Sequence, residues 1–441
     1  MVKVVKFGGS SLADAIQFRK VADIIKSDAE RRYVIPSAPG KRVLPNGEKD
    51  TKVTDMLYTC YRAVLAGKDP KNEFLPIAER FDGIIADLGL SLSLENEYKT
   101  IIANFRKKAG EDYAASRGEY LNGIILSHYL GYSFIDAAKV ISFNTNGDFN
   151  AEFTNASLAA VLCKKEKAVI PGFYGAMPNG CIKTFSRGGS DFTGSIVAKA
   201  VKAELYENWT DVSGFMVADP NIVDEPEVIK VITYRELREL SYMGATVLHE
   251  DSIFPVRTAG IPINIRNTNE PDAPGTMIVR TAPKDDNPPI ITGIAGKKNF
   301  SVIHIEKDGM NNEIGFIRRI LSLLETLEIN FEHLPTGIDT LSIILATDEL
   351  KKHPDITDHI REAAQPNIIV VEQGGLAMIA IVGRGMVETR GTASRIFAAL
   401  AHAGVNVRTI DQGSCEFNVI VGVNEDDFDE AVKAIYNCFA E

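Results

Sequence analysis

No stretch of the 441-residue chain is apolar for long enough to span a bilayer, and the N-terminus opens on a charged, Val-rich segment in place of an apolar signal core. The expected compartment is therefore the cytoplasm, with no membrane partner. Cysteine is scarce: Cys60, Cys163, Cys181, Cys415 and Cys438 are odd in number, scattered, and without a C-x-x-C pair, which predicts reduced thiols. Positive charge is short as well. A formal net charge of -11 with no basic cluster argues against a nucleic-acid partner, although a few local donors suffice for a small anion. A metal site is not expected either. His249-Glu250 starts like a zinc motif, but position 253, where the second histidine belongs, is Ile253. His128, on a helical face with Leu121, Ile124 and Ile125, has no second ligand at metal spacing and reads as a packing residue.

What is present is the composition of a globular protein, 45% hydrophobic and 24% charged, long enough for roughly two to four domains. Its organising stretch is Lys6-Phe7-Gly8-Gly9-Ser10-Ser11. Met1 to Lys6 reads as a strand, the glycines permit a tight turn, and Ser11 with Asp14 has the spacing of a capping box opening a helix. A helix N-terminus offers unpaired N–H groups and partial positive charge, so this loop is a candidate anion site, with Lys6 adding a full charge. An ordinary tight turn beside a surface lysine accounts for the segment equally well.

Tyr33 to Ala38 reads as a second buried strand, parallel to the first, and the ends of such strands collect ligands. Ser37 falls there. Lys41 to Lys52 is a polar loop, a candidate lid, after which Thr54-Asp55 opens another helix. Arg117-Gly118-Glu119 lies within a long helical stretch, where an interior glycine suggests close approach of a ligand or of another backbone. Glu119 could then receive an ammonium group, or be a solvated carboxylate. A second glycine loop, Ser186-Arg187-Gly188-Gly189-Ser190-Asp191, runs into another helix. Two such loops suit a substrate carrying several phosphates. Downstream, a strand ends in Trp209-Thr210-Asp211, where polar residues could hold a base and ribose.

Taken in order, these elements, with Met243-Gly244-Ala245-Thr246-Val247-Leu248-His249, resemble the aspartate kinases of the amino-acid kinase superfamily over essentially the whole chain. The resemblance implies an α/β fold, a three-layer sandwich with a mainly parallel sheet, spanning 1–285. It implies ATP and Mg2+ as the phosphoryl donor and its ion, and L-aspartate as acceptor. By the same resemblance Lys6 contacts the transferring phosphoryl group, with Asp191 orienting it or partnering magnesium, and Gly8, Gly9 and Ser10 line the phosphates. Glu119 takes the amino group of aspartate and Arg187 its α-carboxylate, with Ser37, Thr54 and Ser190 nearby. Thr210, Asp211 and Phe215 fall where the family holds the nucleotide. Thr246 stands in place of a frequent lysine and Asn221 in place of a frequent arginine.

Beyond a Pro- and Asp-rich boundary at 282–289 the sequence repeats at an offset of 76, Ile329-Asn330 matching Val405-Asn406 and Gly309-Met310 matching Gly385-Met386. Each copy reads strand, helix, strand, strand, helix. These copies resemble the tandem ferredoxin-like α+β ACT domains that end aspartate kinases, placed at 290–370 and 371–441. That likeness implies an effector site at Met310, Glu313, Phe331 and Glu332 for an amino acid such as lysine or threonine. It also implies a homodimer through the repeats, or a tetramer of two such dimers. No fused dehydrogenase is expected after the second copy. Three functions remain open on sequence: a feedback-regulated aspartate kinase, a kinase of another acid, and a non-catalytic amino-acid sensor on the same scaffold.

Overall fold

Two compact units make up the chain: Met1–Phe215 with Val228–Tyr234 and Val247–Pro283, and Met216–Glu227 with Arg235–Thr246 and Lys284–Glu441. The computed structural model describes residues 1–44, 47–186, 188–245, 248, 250–284, 289–365, 368–413 and 415–440.

In the first unit β1 (Lys3–Phe7) leads through α1 (Ala15–Lys26) to β2 (Arg31–Pro36), then through helices α2 (Val53–Leu65), α3 (Pro70–Asp87), α4 (Glu95–Arg106) and α5 (Glu111–Leu130). There follow β3 (Ser133–Phe134), α6 (Ala151–Leu162), β4 (Ala168–Val169), the hairpin β5 (Tyr174–Ala176) and β6 (Ile182–Thr184), then α7 (Gly189–Ala200) and β7 (Leu205–Thr210). Next come β8 (Val231–Thr233), α9 (Phe254–Ala259), β9 (Ile263–Asn267) and β10 (Thr276–Val279), while α8 (Tyr234–Tyr242), which follows β8 in the chain, belongs to the second unit from Arg235 onward. Eight strands form one sheet in the order β3-β4-β2-β1-β7-β9-β10-β8, parallel throughout except between β9 and β10.

Alternation along β1 assigns the layers, because successive side chains point to opposite faces. Val5 and Phe7 join the apolar core built with α1 to α5, together with Val34, Val169 and Trp209. Lys6 faces the other way, in register with Ile35 and Asn208, on the side that carries α7. The sheet therefore lies between two helical layers, as the sequence implied.

In the second unit β11 (Gly293–Lys307), α10 (Phe316–Thr326), β12 (Thr340–Ala346), α11 (Thr347–Lys352), α12 (Ile356–Ala364) and β13 (Ile368–Val382) precede α13 (Thr392–His402), β14 (Val407–Asp411), β15 (Asn418–Asn424) and α14 (Phe428–Phe439). One antiparallel sheet, β12-β11-β13-β15-β14, serves both repeats. The repeat extends to the backbone, since Gly315 and Gly391, 76 residues apart, both cap a helix at positive φ, +84° and +86°. The copies are not consecutive blocks, however. Gly293 to Lys297, at the start of the first range, pairs with Met378 to Val382 and so completes the sheet of the second copy. A division at 290 and 371 does not separate the repeats.

Two segments expected within 1–285 also pack with the second unit. Ala218 and Val223 are buried in the core of the second repeat with Ile379, Ile396 and Phe428. Glu236 on α8, 0% exposed, accepts both Nη1 contacts of Arg384, at 2.9 and 3.0 Å, and a hydroxyl bond from Thr292. Burial of these groups outweighs their position in the chain.

Candidate active site

Neighbouring parallel strands deliver their following loops to the same edge of the sheet, and here two of those loops touch backbone to backbone. Gly40 N donates to Gly9 O at 2.8 Å, and Ser37 N to Phe7 O at 3.1 Å. A Cβ on Gly40 would lie 2.6 Å from Gly9 C, so no larger residue fits without moving the loop after β1. Ser11 is not half of a capping box. Ser10–Leu12 forms a 3-10 turn, Ser11 Oγ lies 2.8 Å from Thr268 Oγ1, and Asp14 itself caps α1 by accepting from Gln17 N.

The second glycine loop arrives from the α7 side. Gly188 caps α7 at a φ of +71°, which an L side chain rarely adopts, and places Asp191 in the first turn. Lys6 Nζ stands 2.6 Å from Asp191 Oδ1 and donates to Asn208 Oδ1 at 3.3 Å. Asn208 Nδ2 in turn donates to the same Asp191 oxygen at 2.9 Å, closing a triangle. All three are largely buried: Lys6 is 8% and Asn208 4% exposed. The two glycine loops therefore meet, and a lysine charge is fixed where they do. Asn208 had no local motif to announce it. It is a buried polar residue of β7, next to the equally buried Glu207 and in register with Lys6.

On α5, Glu119 is 5% exposed and accepts from the Ala38 backbone. Burial pushes its carboxyl up to about 8, against the opposing pull of that hydrogen bond and of Arg117. Arg117 lies under the rings of Tyr113, Tyr120 and Tyr174, at 4.6, 4.6 and 5.1 Å from their centroids. Gly118 is small for a different reason from the expected one: a Cβ there would sit 2.7 Å from the Ala38 side chain, so the approach is ordinary packing. Ser37 is half-buried, and its carbonyl accepts from Asn122 Nδ2 at 2.7 Å. Thr54 is half-buried in the first turn of α2, whose Val53 N donates to Pro39 O. Arg80, which no motif marked, donates Nη2 to Ala13 O and Gly40 O and contacts Asp50 through Nη1, tying the 41–52 loop to the first glycine loop.

Ser190 is half-buried against Gly172. Arg187 lies outside the described residues, as does Thr246. Thr210 and Asp211 end β7, their side chains 3.1 Å apart. Phe215 is 2% exposed, its N–H donating to Thr276 Oγ1 and its carbonyl accepting from Ile229 N. Asn221 belongs to the second unit, where it donates twice to Asp219 Oδ1. His128 is exposed, not packed.

Of the effector candidates, Met310 is 4% exposed within the first repeat's core, and Phe331 is 40% exposed. Glu313 pairs with Arg319 and with Lys307 Nζ at 3.0 Å, and both hold its carboxyl below the usual range. Glu332 hydrogen-bonds the Tyr242 hydroxyl, which together with burial raises that phenol to about 12. No cluster of three or more His, Cys, Asp or Glu suited to a metal ion occurs among the described residues. Asp191, on this face of the site, is a carboxylate that could meet a cation carried by a phosphate substrate.

The chain is similar to known proteins along nearly its whole length. The model of the Amino acid kinase family matches residues 1–267, and that of the ACT domain residues 379–439. The chain is 37% identical to Aspartokinase 3 of Bacillus subtilis, over 99% of its own length and 98% of the relative's. It is 30% identical to the chloroplastic Aspartokinase 3 of Arabidopsis thaliana, over 99% and 81%. The crystal structure of an aspartate kinase from Clostridium acetobutylicum matches with a TM-score of 0.91 and 51% identity, over 99% of this chain and 100% of that one.

Proposed function

The chain belongs to the amino acid kinase family, among the aspartokinases, and on that premise we propose which of its residues carry the transfer of a phosphoryl group from ATP to the β-carboxylate of L-aspartate. The observation that carries the assignment is the 2.6 Å contact between Lys6 and Asp191, which brings both glycine loops to one point.

The acceptor carboxylate, with an ordinary pKa of about 3.9, is ionised at neutral pH and needs no base. Its oxygen forms the new bond to the γ-phosphorus as the bond to the bridging oxygen of ADP breaks, and no proton is transferred. What the protein supplies is positioning of two anions and stabilisation of charge on the phosphoryl group. Lys6 provides that charge, and Gly8, Gly9 and Ser10 let the backbone approach the phosphates. Asp191 and Asn208 hold the lysine in place. Asp191 is the carboxylate that would help to hold Mg2+ brought in with the nucleotide, whose charge would add to the neutralisation. Glu119 receives the ammonium of aspartate and Arg187 its α-carboxylate, with Ser37, Thr54 and Ser190 around them. Thr210, Asp211 and Phe215 are assigned to the nucleotide.

The repeats are read as an effector module for lysine or threonine, using Phe331, Glu332, Glu313 and Met310. Support comes from the pairing of Glu332 with Tyr242, a contact that an effector ammonium would replace. A homodimer through the repeats is the assembly proposed. The helix-free face of their sheet, where Ile369 and Val371 are 57% and 41% exposed, is the surface available for it. No helix among the described residues is long and apolar enough to cross a membrane, and the cytoplasm is the compartment proposed.

The test is ADP release with each of L-aspartate, L-glutamate and N-acetylglutamate, trapping any acyl phosphate with hydroxylamine. Aspartyl hydroxamate from aspartate alone is expected. Product from glutamate with none from aspartate would overturn the acceptor assignment.

A further inference from the structure

Helix α5 carries a second buried polar side chain one turn after Glu119. Asn122 is 0% exposed, and its Nδ2 donates to Ser37 O at 2.7 Å. That bond fixes the amide's orientation, because the reversed amide would set two oxygens against each other. Oδ1 is therefore an acceptor, and it has no hydrogen-bond partner. Glu119 repeats the arrangement: one side of its carboxyl is satisfied by Ala38 N–H, while Oε2 is buried without a partner.

Residues three apart on a helix are neighbours on one face. The satisfied atoms of these two side chains grip consecutive residues, Ser37 and Ala38, so the pair converges on the end of β2. Two buried acceptors without a donor are unfavourable until something donates to both. A carboxylate or a phosphate cannot do so, whereas an ammonium has three N–H donors, and its positive charge favours the ionised form of Glu119, whose proton leaves to solvent as the ammonium enters. Asn122 adds an acceptor without adding a second negative charge that would itself need a partner.

We propose that Asn122 Oδ1 is a second acceptor for the α-ammonium of the substrate, beside Glu119, and so determines specificity for an α-amino acid over the corresponding plain dicarboxylate. The inference rests on the assignment of Glu119 to the substrate ammonium.

The experiment compares Asn122→Ala and Glu119→Gln with the unaltered enzyme, reading the KM for L-aspartate and the inhibition constant of succinate, which has the same two carboxylates and no ammonium. Neither constant depends on how much of a preparation is active, so partial misfolding does not blur the result. Asn122→Ala is expected to raise the KM for aspartate about tenfold while the succinate constant moves less than about twofold. If both constants rise by the same factor, Asn122 only braces Ser37 and the proposal is overturned. If neither moves, an internal water occupies the site, and it is overturned again. Glu119→Gln separates the two levels. Loss of discrimination there, without loss in Asn122→Ala, rejects Asn122 alone, whereas unchanged discrimination in Glu119→Gln rejects the ammonium site itself.

Discussion

Lys6 on β1 and Asp191 in the first turn of α7 lie 185 positions apart in the chain and 2.6 Å apart in space. Asn208 bridges them, its oxygen on the lysine and its nitrogen on the aspartate. The charge that the reaction needs is thus oriented before any substrate arrives, which is the condition under which electrostatic stabilisation costs no rearrangement during the reaction. Two strands and a helix, not a single loop, hold that charge.

The contact between Gly40 and Gly9 leads to a first prediction. Gly40→Ala places a methyl 2.6 Å from the Gly9 carbonyl carbon, so the loop after β1 must shift. Overpacking of this kind destabilises by about 1–3 kcal/mol, and a displacement of the phosphate-binding backbone of about 1 Å lowers turnover on the order of a hundredfold. Steady-state kinetics with thermal unfolding checks both. Wild-type kinetics in the variant would mean that the two loops are not coupled.

Glu119 makes stability depend on pH. Its carboxyl is raised from 4.5 to about 8 in the folded protein, so between those values the folded state binds more protons than the unfolded chain. Stability from this group is therefore fully present below about 4.5 and is lost as pH rises through about 8. Glu119→Gln has no such proton to lose. The thermal midpoint of the variant should gain on the unaltered protein steadily from pH 5 to pH 8, and a gap that does not change with pH would contradict the burial argument.

The pair Glu236 and Arg384 provides a prediction for the second unit. Arg384→Ala removes the guanidinium nitrogen that engages both oxygens of Glu236, a carboxylate at 0% exposure, and leaves it Thr292, a change that costs about 3–5 kcal/mol. Glu236→Gln in the same chain should recover much of that loss, since the buried charge is gone. Urea unfolding of the single and double variants measures it, and strict additivity would show that the two residues do not interact.

The residues most legible in the sequence were those whose chemistry is local. Gly9 and Gly189 leave no room for a Cβ and Gly188 stands at positive φ, and the 76-residue repeat shows in matched glycines and apolar positions. Asn208, Asn122 and Arg80 were not legible, because each acts on a partner far away in the chain: Lys6, Ser37 and Gly40. Gly118 was misread for a related reason. An interior helix glycine says that something comes close, but only the packing of α5 against Ala38 says what. Likewise the strand Gly293–Lys297 has nothing in its sequence to assign it to the second repeat, since strand pairing is decided by partners 80 or more residues away.

The central claim, that Lys6 acts on the phosphoryl group in transfer and not on aspartate binding, is tested most directly by Lys6→Ala. Turnover is measured as hydroxylamine-trapped aspartyl phosphate, and aspartate affinity by calorimetry on the same preparation. Loss of one preorganised charge predicts a fall in kcat of about 10²–10³ or more, with aspartate affinity changed less than about threefold. Near-normal turnover, or a loss confined to aspartate affinity, would contradict it.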